Sequence, residues 1–169
     1  MTAAAVVLVR PQEPGNVGAV ARAMANTGLS ELRLVEPAAV LNDTAYAFAM
    51  HAHDILDGAC RFPSLTAAVA DADLVVATAS LRDRPWPQPV LTPRELPARL
   101  AQGSPGARVA LVFGSEVSGL TAEELGTVLG HAEPRVVITS STLRPLLEAA
   151  LPRIPSVQHV IEAARTAAA

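Results

Sequence analysis

The stretch RPQEPGNVGAVARAMANTGL, residues 10–29, decides the fold class together with the segments on either side of it. Its first four residues lead into a predicted Pro-Gly-Asn turn at residues 14–16. Small and apolar side chains then recur at the helical period as far as Gly28, which is expected to end the helix. Residues 6–9 before it and residues 32–35 after it are apolar runs of strand type. This order predicts a strand, a crossover helix and a second strand parallel to the first.

Three further apolar runs extend the same pattern, at residues 74–78, 109–113 and 136–139. Because these runs are nearly all apolar and do not alternate, we expect strands that are buried on both faces. The sequence therefore predicts an α/β fold with a mostly parallel sheet and helices on both of its faces. At 169 residues the chain has the size of one domain, so residues 1–169 are expected to form a single domain.

Capping boxes, in which a hydroxyl precedes a carboxylate by three residues, mark the starts of two later helices. Thr92 and Glu95 form the first box, with Pro93 at the first helical position, and Thr121 and Glu124 form the second. We therefore expect one helix to begin after Thr92 and another after Thr121.

The composition excludes several classes of protein. No apolar run reaches the roughly 18 residues that a membrane-spanning helix needs, and the first residues lack the features of a signal peptide, so a cytoplasmic protein without membrane contacts is expected. The single cysteine, Cys60, can form no disulfide within the chain and starts no zinc site, and we expect it to be buried. With a formal charge of −3, the chain is not expected to coat nucleic acid non-specifically, so any RNA contact must be local.

The turn at residues 14–16 is the first candidate binding site. Asn16 is a candidate helix cap, and free backbone N–H groups at the start of a helix suit an anion such as an RNA phosphate. Arg22, which shares the polar face of the helix with Asn26, would be a second contact. From the residues alone, the alternative interpretation is a simple turn with Arg22 as a solvated charge.

Two other segments follow predicted strands, where ligands of α/β proteins commonly bind. VFGSEVSGL, residues 112–120, leaves one strand and enters a capped helix through two glycines, which allow a ligand close to the backbone. TASLRDR, residues 78–84, brings hydroxyl groups and two arginines to the same edge of the predicted sheet. On the residues alone, a common strand-to-helix turn and a loop ion pair remain the alternative interpretations.

In this order, these segments resemble the SPOUT methyltransferase superfamily, in its SpoU or TrmH branch, and most closely the TrmJ-like tRNA 2′-O-methyltransferases. The matching pieces are LVRPQEPGNVGAVARAMANTGLSELRLVEP, AHDIL with RFPSLTAAVADADLVVATAS, RDRPWPQPVLTPREL and VALVFGSEVSGLTAEEL. The resemblance implies methyl transfer from S-adenosylmethionine to a ribose 2′-hydroxyl of RNA, with tRNA as the expected class. It also implies a trefoil-knotted α/β fold, a homodimer and no metal.

The resemblance assigns roles to individual residues. Catalytic roles are implied for Arg22, Asn16 and Glu116, cofactor binding for Thr78, Ala79, Ser80, Gly114, Gly119, Ile138 and Ser156, and RNA binding for Arg10, Arg82 and Arg84. Since a guanidinium stays protonated in ordinary protein environments, we expect Arg22 to hold a phosphate and stabilise the developing alkoxide rather than remove a proton.

The third family motif, a Ser-Leu-Asn near the start of the final helix, has no single counterpart in the chain. Its register could fall at residues 142–144, 146–148 or 156–158, and none of the three supplies the asparagine. The last register is favoured because Ser156 directly precedes a pattern that predicts a helix with Val160 and Ile161 on one face. A relative that binds RNA or cofactor without transferring a methyl group is therefore the alternative function.

Overall fold

The structure is a computed structural model that describes residues 4–78, 80–81, 94, 96–100, 106–130, 136–141 and 160–162. In chain order its elements are β1 (Ala4–Val9), α1 (Pro14–Thr27), β2 (Glu31–Val35), α2 (Asp43–Ala49), α3 (His53–Asp57), β3 (Cys60–Phe62), α4 (Leu65–Val69), β4 (Leu74–Ala77), β5 (Ser80–Leu81), α5 (Leu96–Leu100), β6 (Val109–Phe113), α6 (Ala122–Gly130), β7 (Val136–Ser141) and β8 (Val160–Glu162). The five predicted strands are all present as β1, β2, β4, β6 and β7.

The strands pair side by side in the order β3-β2-β1-β6-β4-β7-β5, and β8 also pairs with β7. Each ladder between these strands is parallel, as the sequence predicted. After β1 the chain continues to β2 on one side, whereas after β6 it continues to β7 on the other. The connections therefore diverge between β1 and β6, which opens a crevice at the carboxyl ends of these two strands.

Helices cover both faces of the sheet, as predicted. Successive residues of a strand point to opposite faces, and β1 shows this clearly. Val6 and Leu8 pack with residues of α1, α2 and α3, whereas Val7 and Val9 pack with residues of α4 and α6. Because both faces are covered, the apolar runs of the sequence become the centre of the core.

Local sequence accounts for α1. Pro14 occupies its first turn, and Gly28 ends it in the left-handed conformation with φ 74°. Gly18 lets α1 lie directly against α2, because a Cβ at this position would be 2.0 Å from the carbonyl oxygen of Ala45. The predicted polar face is confirmed, since Arg22 and Asn26 are both exposed.

Asn16 is not the helix cap that the sequence predicted. Glu13 occupies the cap position, but its side chain makes no capping hydrogen bond. The helix begins at Pro14, so Asn16 lies inside the first turn. The helix begins three residues earlier than predicted because proline already has the backbone angle of a first helical residue. The side-chain amide of Asn16 is therefore free to contact another loop.

Two further expectations were wrong. Cys60 is exposed, because it lies in the short strand β3 at the edge of the sheet. Residues 160–162, predicted as part of a helix, form β8, and Val160 and Ile161 pair with β7. Pairing with a neighbouring strand outweighs a short helical pattern when the residues involved are β-branched.

The two predicted capping boxes have different outcomes. The Thr121–Glu124 box is confirmed, because the Thr121 hydroxyl accepts from the Glu124 N–H at 3.2 Å and the Glu124 carboxylate accepts from the Thr121 N–H at 2.6 Å. The first box lies outside the described residues. No helix in the described part of the chain is long and apolar enough to cross a membrane.

Candidate active site

The loop after β1 and the loop after β6 face each other across the crevice, because Leu8 and Phe113 are paired in neighbouring strands. Glu116 connects the two loops. Its carboxylate accepts from the backbone N–H groups of Gln12 at 3.0 Å and Glu13 at 3.4 Å, and from the Asn16 side-chain amide at 3.2 Å. The structure therefore brings together two of the three residues with implied catalytic roles.

These contacts also determine the charge state of Glu116. Burial by itself would raise the pKa of the Glu116 carboxyl, but backbone N–H groups and the Asn16 amide outweigh burial and hold the pKa below its ordinary value. The group is therefore a carboxylate at neutral pH. The anion at the beginning of α1 is this carboxylate, so an RNA phosphate predicted at residues 14–16 would meet a like charge.

Arg10 connects the same two loops at a second point. Its guanidinium donates to both carboxylate oxygens of Glu124, at 2.7 and 3.0 Å, and to the carbonyl oxygen of Gly119 at 3.4 Å. Burial tends to raise the pKa of the Glu124 carboxyl, but the Arg10 guanidinium and the N–H and hydroxyl of Thr121 lower it overall. Arg10 thus joins the end of β1 to the start of α6, and its predicted contact with RNA stays a prediction.

The loop after β6 closes tightly on itself. Ser115 and Gly119 form an isolated antiparallel bridge, and the Gly119 N–H donates to the Ser115 carbonyl at 2.8 Å. Gly119 has φ 65°, which favours glycine, and a Cβ at Gly114 would lie 2.2 Å from the Gly119 carbonyl carbon. The missing side chain at Gly114 therefore admits the backbone of the same loop.

Thr78 extends the site to the next strand. Its N–H and its hydroxyl both donate to the carbonyl of Val112, at 2.9 and 3.3 Å. Ala77 pairs with Val112 on one side and with Val137 on the other, so the backbones of Thr78 and Ile138 lie at the same level of the sheet. Residues with implied cofactor roles thus lie within or directly after three adjacent strands.

Of the remaining residues with implied cofactor or RNA roles, the structure describes Ser80 but not four others. Ser80 pairs with Ser140 through β5 and β7. Ala79, Arg82, Arg84 and Ser156 lie outside the described residues, as do all three possible registers of the third motif. Within the described part of the chain, no group of His, Cys, Asp and Glu side chains is arranged to hold a metal ion.

Arg22 lies apart from the contacts of Glu116. It is six residues beyond Asn16 on α1, a distance of about 9 Å along the helix axis, and it is exposed. None of the hydrogen bonds between described residues involves its guanidinium. Its five N–H donors are therefore not used by the described part of the chain.

The sequence did not reveal an apolar cavity of about 450 Å³ between α1 and the strands β1 and β6. Val20, Leu111 and Phe113 contribute to its apolar wall, and Asn16 and Glu116 also line it. Its residues come from distant parts of the chain, so no local pattern could indicate it.

Comparison with known proteins agrees with this architecture. The family model described as the SpoU rRNA methylase family matches residues 3–138, and the chain belongs to this family. The resemblance identified from the sequence is thereby confirmed.

Two curated relatives and one solved structure indicate the branch of the family. The chain is 47% identical over 120 residues to a tRNA (cytidine/uridine-2′-O-)-methyltransferase TrmJ from Pectobacterium atrosepticum. This alignment covers 71% of this chain and 49% of the relative. The chain is 39% identical over 122 residues to a tRNA (cytidine-2′-O-)-methyltransferase TrmJ from Methanocaldococcus jannaschii, with 71% and 52% covered. The crystal structure of TrmJ from Z. mobilis ZM4 aligns with a TM-score of 0.66 at 36% identity, covering 87% of this chain and 65% of that one. The chain spans about half the length of the curated relatives that it matches.

Proposed function

We propose that this chain is an S-adenosylmethionine-dependent RNA methyltransferase that modifies a ribose 2′-hydroxyl of tRNA. The observation that supports the proposal is the position of three residues on neighbouring parallel strands: Thr78 and Gly114 directly follow β4 and β6, and Ile138 of β7 lies level with Thr78. Membership of the SpoU methylase family supports methyl transfer, and the names of the relatives support tRNA and the 2′-hydroxyl.

The described residues at this edge fit the proposed cofactor. The edge of the sheet offers hydroxyl and backbone groups that can bind an adenosine, and the proposed set among the described residues is Thr78, Ser80, Gly114, Gly119 and Ile138. Ala79 and Ser156, which lie outside the described residues, are proposed as further members of the set. When bound, S-adenosylmethionine supplies a methyl group already activated by its positively charged sulfur. The protein then has to align the ribose hydroxyl with that methyl group.

Arg22 has the proposed role of holding the RNA phosphate and stabilising the developing negative charge on the ribose oxygen. Support comes from its exposure and from its unused donors among the described residues. Asn16 is proposed to orient the ribose, and the Glu116 carboxylate positions the Asn16 amide through their hydrogen bond. Arg10, Arg82 and Arg84 are proposed as further RNA contacts.

The trefoil knot, the homodimer and the single domain over residues 1–169 are part of the same proposal. Support comes from family membership and from the parallel sheet with helices on both faces. Sedimentation of the purified chain tests the dimer directly.

Calorimetric titration with S-adenosylmethionine is the first test of the proposed function, and absence of binding at millimolar cofactor would refute it. The second test is transfer of labelled methyl groups to total tRNA. We expect Arg22→Ala to slow transfer by about 100-fold, the order of effect seen when one stabilising donor is removed from a transition state. Arg61→Ala is the matched control, because Arg61 is also an exposed arginine but lies on the edge strand β3. This variant should leave the rate unchanged. An unchanged rate in Arg22→Ala would contradict the role proposed for Arg22.

A further inference from the structure

A second cleft, of about 370 Å³, opens where α1 passes the junction between α2 and α3. Arg22 and Asn26 of α1 line one side, and Met50 and His51 line the other. Methyl groups of alanine, including the buried Ala49, form the remaining surface. Glu116 and the residues that donate hydrogen bonds to it, Gln12, Glu13 and Asn16, do not line this cleft.

The path of the chain explains why this cleft exists. α1 and α2 touch closely at Gly18, but α2 already ends at Ala49. Met50 then turns the chain with φ 57° and ψ −103°, in a region that L-residues rarely adopt. The polar face of the last turns of α1 is left uncovered as a result. Strained residues of this kind cluster at binding and catalytic sites, where the surrounding structure holds them in place.

The polar side chains around the cleft have no partners among the described residues. The hydrogen bonds and ion pairs of the described part include none from the side chains of Arg22, Asn26 or His51. His53, two residues after His51, is different, because its Nε2 lies 3.1 Å from the Tyr46 carbonyl oxygen and its ring packs edge-on against the Tyr46 ring at 5.3 Å. The cleft therefore combines one fixed positive charge, an amide, an imidazole and an apolar surface.

We propose that this cleft binds one nucleotide of the RNA, next to the nucleotide that is methylated. This inference rests on the proposed function, because Arg22 lies at the edge of the cleft and links it to the reaction. The guanidinium of Arg22 and the imidazole of His51 bind the phosphate, and the Asn26 amide pairs with an edge of the base. The base packs against the Met50 thioether and the alanine methyl groups. A cavity of about 370 Å³ is within the size range of small-ligand sites, which begins at about 300 Å³.

The test compares His51→Ala, Asn26→Ala and the double variant with the wild type, and uses His53→Ala as the matched control. The readouts are KM and kcat for tRNA methylation, together with the affinity for S-adenosylmethionine by calorimetry. We expect each single change to raise KM for tRNA by about tenfold, the effect of losing a hydrogen bond to a charged or polar group, with kcat and cofactor affinity nearly unchanged. His53→Ala should leave KM for tRNA unchanged.

Several outcomes would overturn the inference or separate it from the proposed function. If the wild type methylates tRNA and the double variant has an unchanged KM, the cleft does not bind RNA. If the variants alter the sedimentation of the protein while tRNA binding by fluorescence anisotropy stays the same, the cleft is an interface between copies of the chain. If the wild type transfers no methyl group and its affinity for tRNA still depends on His51 and Asn26, the proposed reaction fails and the RNA site stands.

Discussion

Replacing Gly114 by alanine tests how tightly the loop after β6 is closed. A Cβ at this position would lie 2.2 Å from the Gly119 carbonyl carbon, 2.3 Å from the Leu120 nitrogen and 2.5 Å from the Gly119 oxygen. All three atoms belong to the backbone, so no side-chain rotation relieves the contact. The loop has to open by roughly 1 Å before these distances reach the 3.4 Å of an ordinary contact.

The cost of Gly114→Ala can be worked from this geometry. Forcing an extra carbon into a closely packed site costs about 1–3 kcal/mol, and losing the hydrogen bond between the Gly119 N–H and the Ser115 carbonyl adds about 1 kcal/mol. For a chain of this length each kcal/mol lowers Tm by about 2–4 °C. We therefore expect a fall in Tm of roughly 5–15 °C, together with weaker binding of S-adenosylmethionine.

Thermal unfolding followed by circular dichroism measures this effect, and Gly126→Ala is the matched control. Gly126 lies inside α6, and a Cβ there would meet no atom within 4 Å. The same substitution should therefore stabilise the protein by about 0.5–1 kcal/mol, because alanine favours a helix over glycine. A Gly114→Ala protein that unfolds at the temperature of the wild type would refute the close approach of the two backbone segments.

Two ion pairs give the remaining predictions. Arg10→Gln and Glu124→Gln should each lower the free energy of unfolding by about 1–3 kcal/mol, and the double variant should lose less than the sum because both changes remove the same contact. Glu123→Gln, on the exposed side of the same helix, should change stability by less than about 0.5 kcal/mol. Urea unfolding of these variants measures the coupling, and additive losses would contradict the pairing. The second prediction concerns pH: the hydrogen-bonded Arg33 guanidinium lowers the pKa of Asp71 to about 2 from an ordinary value of 3.8. The stabilisation from this pair is therefore complete above about pH 4 and is lost as the pH falls toward 2, and Arg33→Met should remove that part of the acid dependence. An acid dependence of stability that is the same in Arg33→Met and the wild type would disprove the assignment.

The sequence predicted the central strands well because these strands are buried on both faces. A strand such as β1, in which Val6, Val7, Leu8 and Val9 all lie in the core, has to be apolar throughout, and this makes it visible in the sequence. Short edge strands carry no such pattern. β3 therefore went unpredicted, and Cys60 within it was wrongly expected to be buried.

The contacts of the candidate site could not be predicted from local patterns. Arg10 and Glu124 are 114 residues apart, and Asn16 and Glu116 are 100 residues apart. A pattern of neighbouring residues suggested a cap for Asn16, whereas the structure uses its amide to bind a carboxylate from a distant loop. The predicted parallel sheet placed these segments at one edge, and the resemblance to a family assigned them to one site, but neither predicted the individual contacts.

The two arginines of residues 10–29 show why RNA recognition by this chain has to be local. The charge of Arg10 is neutralised by its ion pair with Glu124. Arg33 and Arg108 also form ion pairs, both with Asp71. With a net charge of −3, the chain has little general attraction for a polyanion. Affinity for RNA then depends mainly on cations that no carboxylate neutralises, and a paired arginine such as Arg10 contributes less. Arg22 is one of these cations in the described part of the chain, and it lies beside a cleft large enough for a nucleotide.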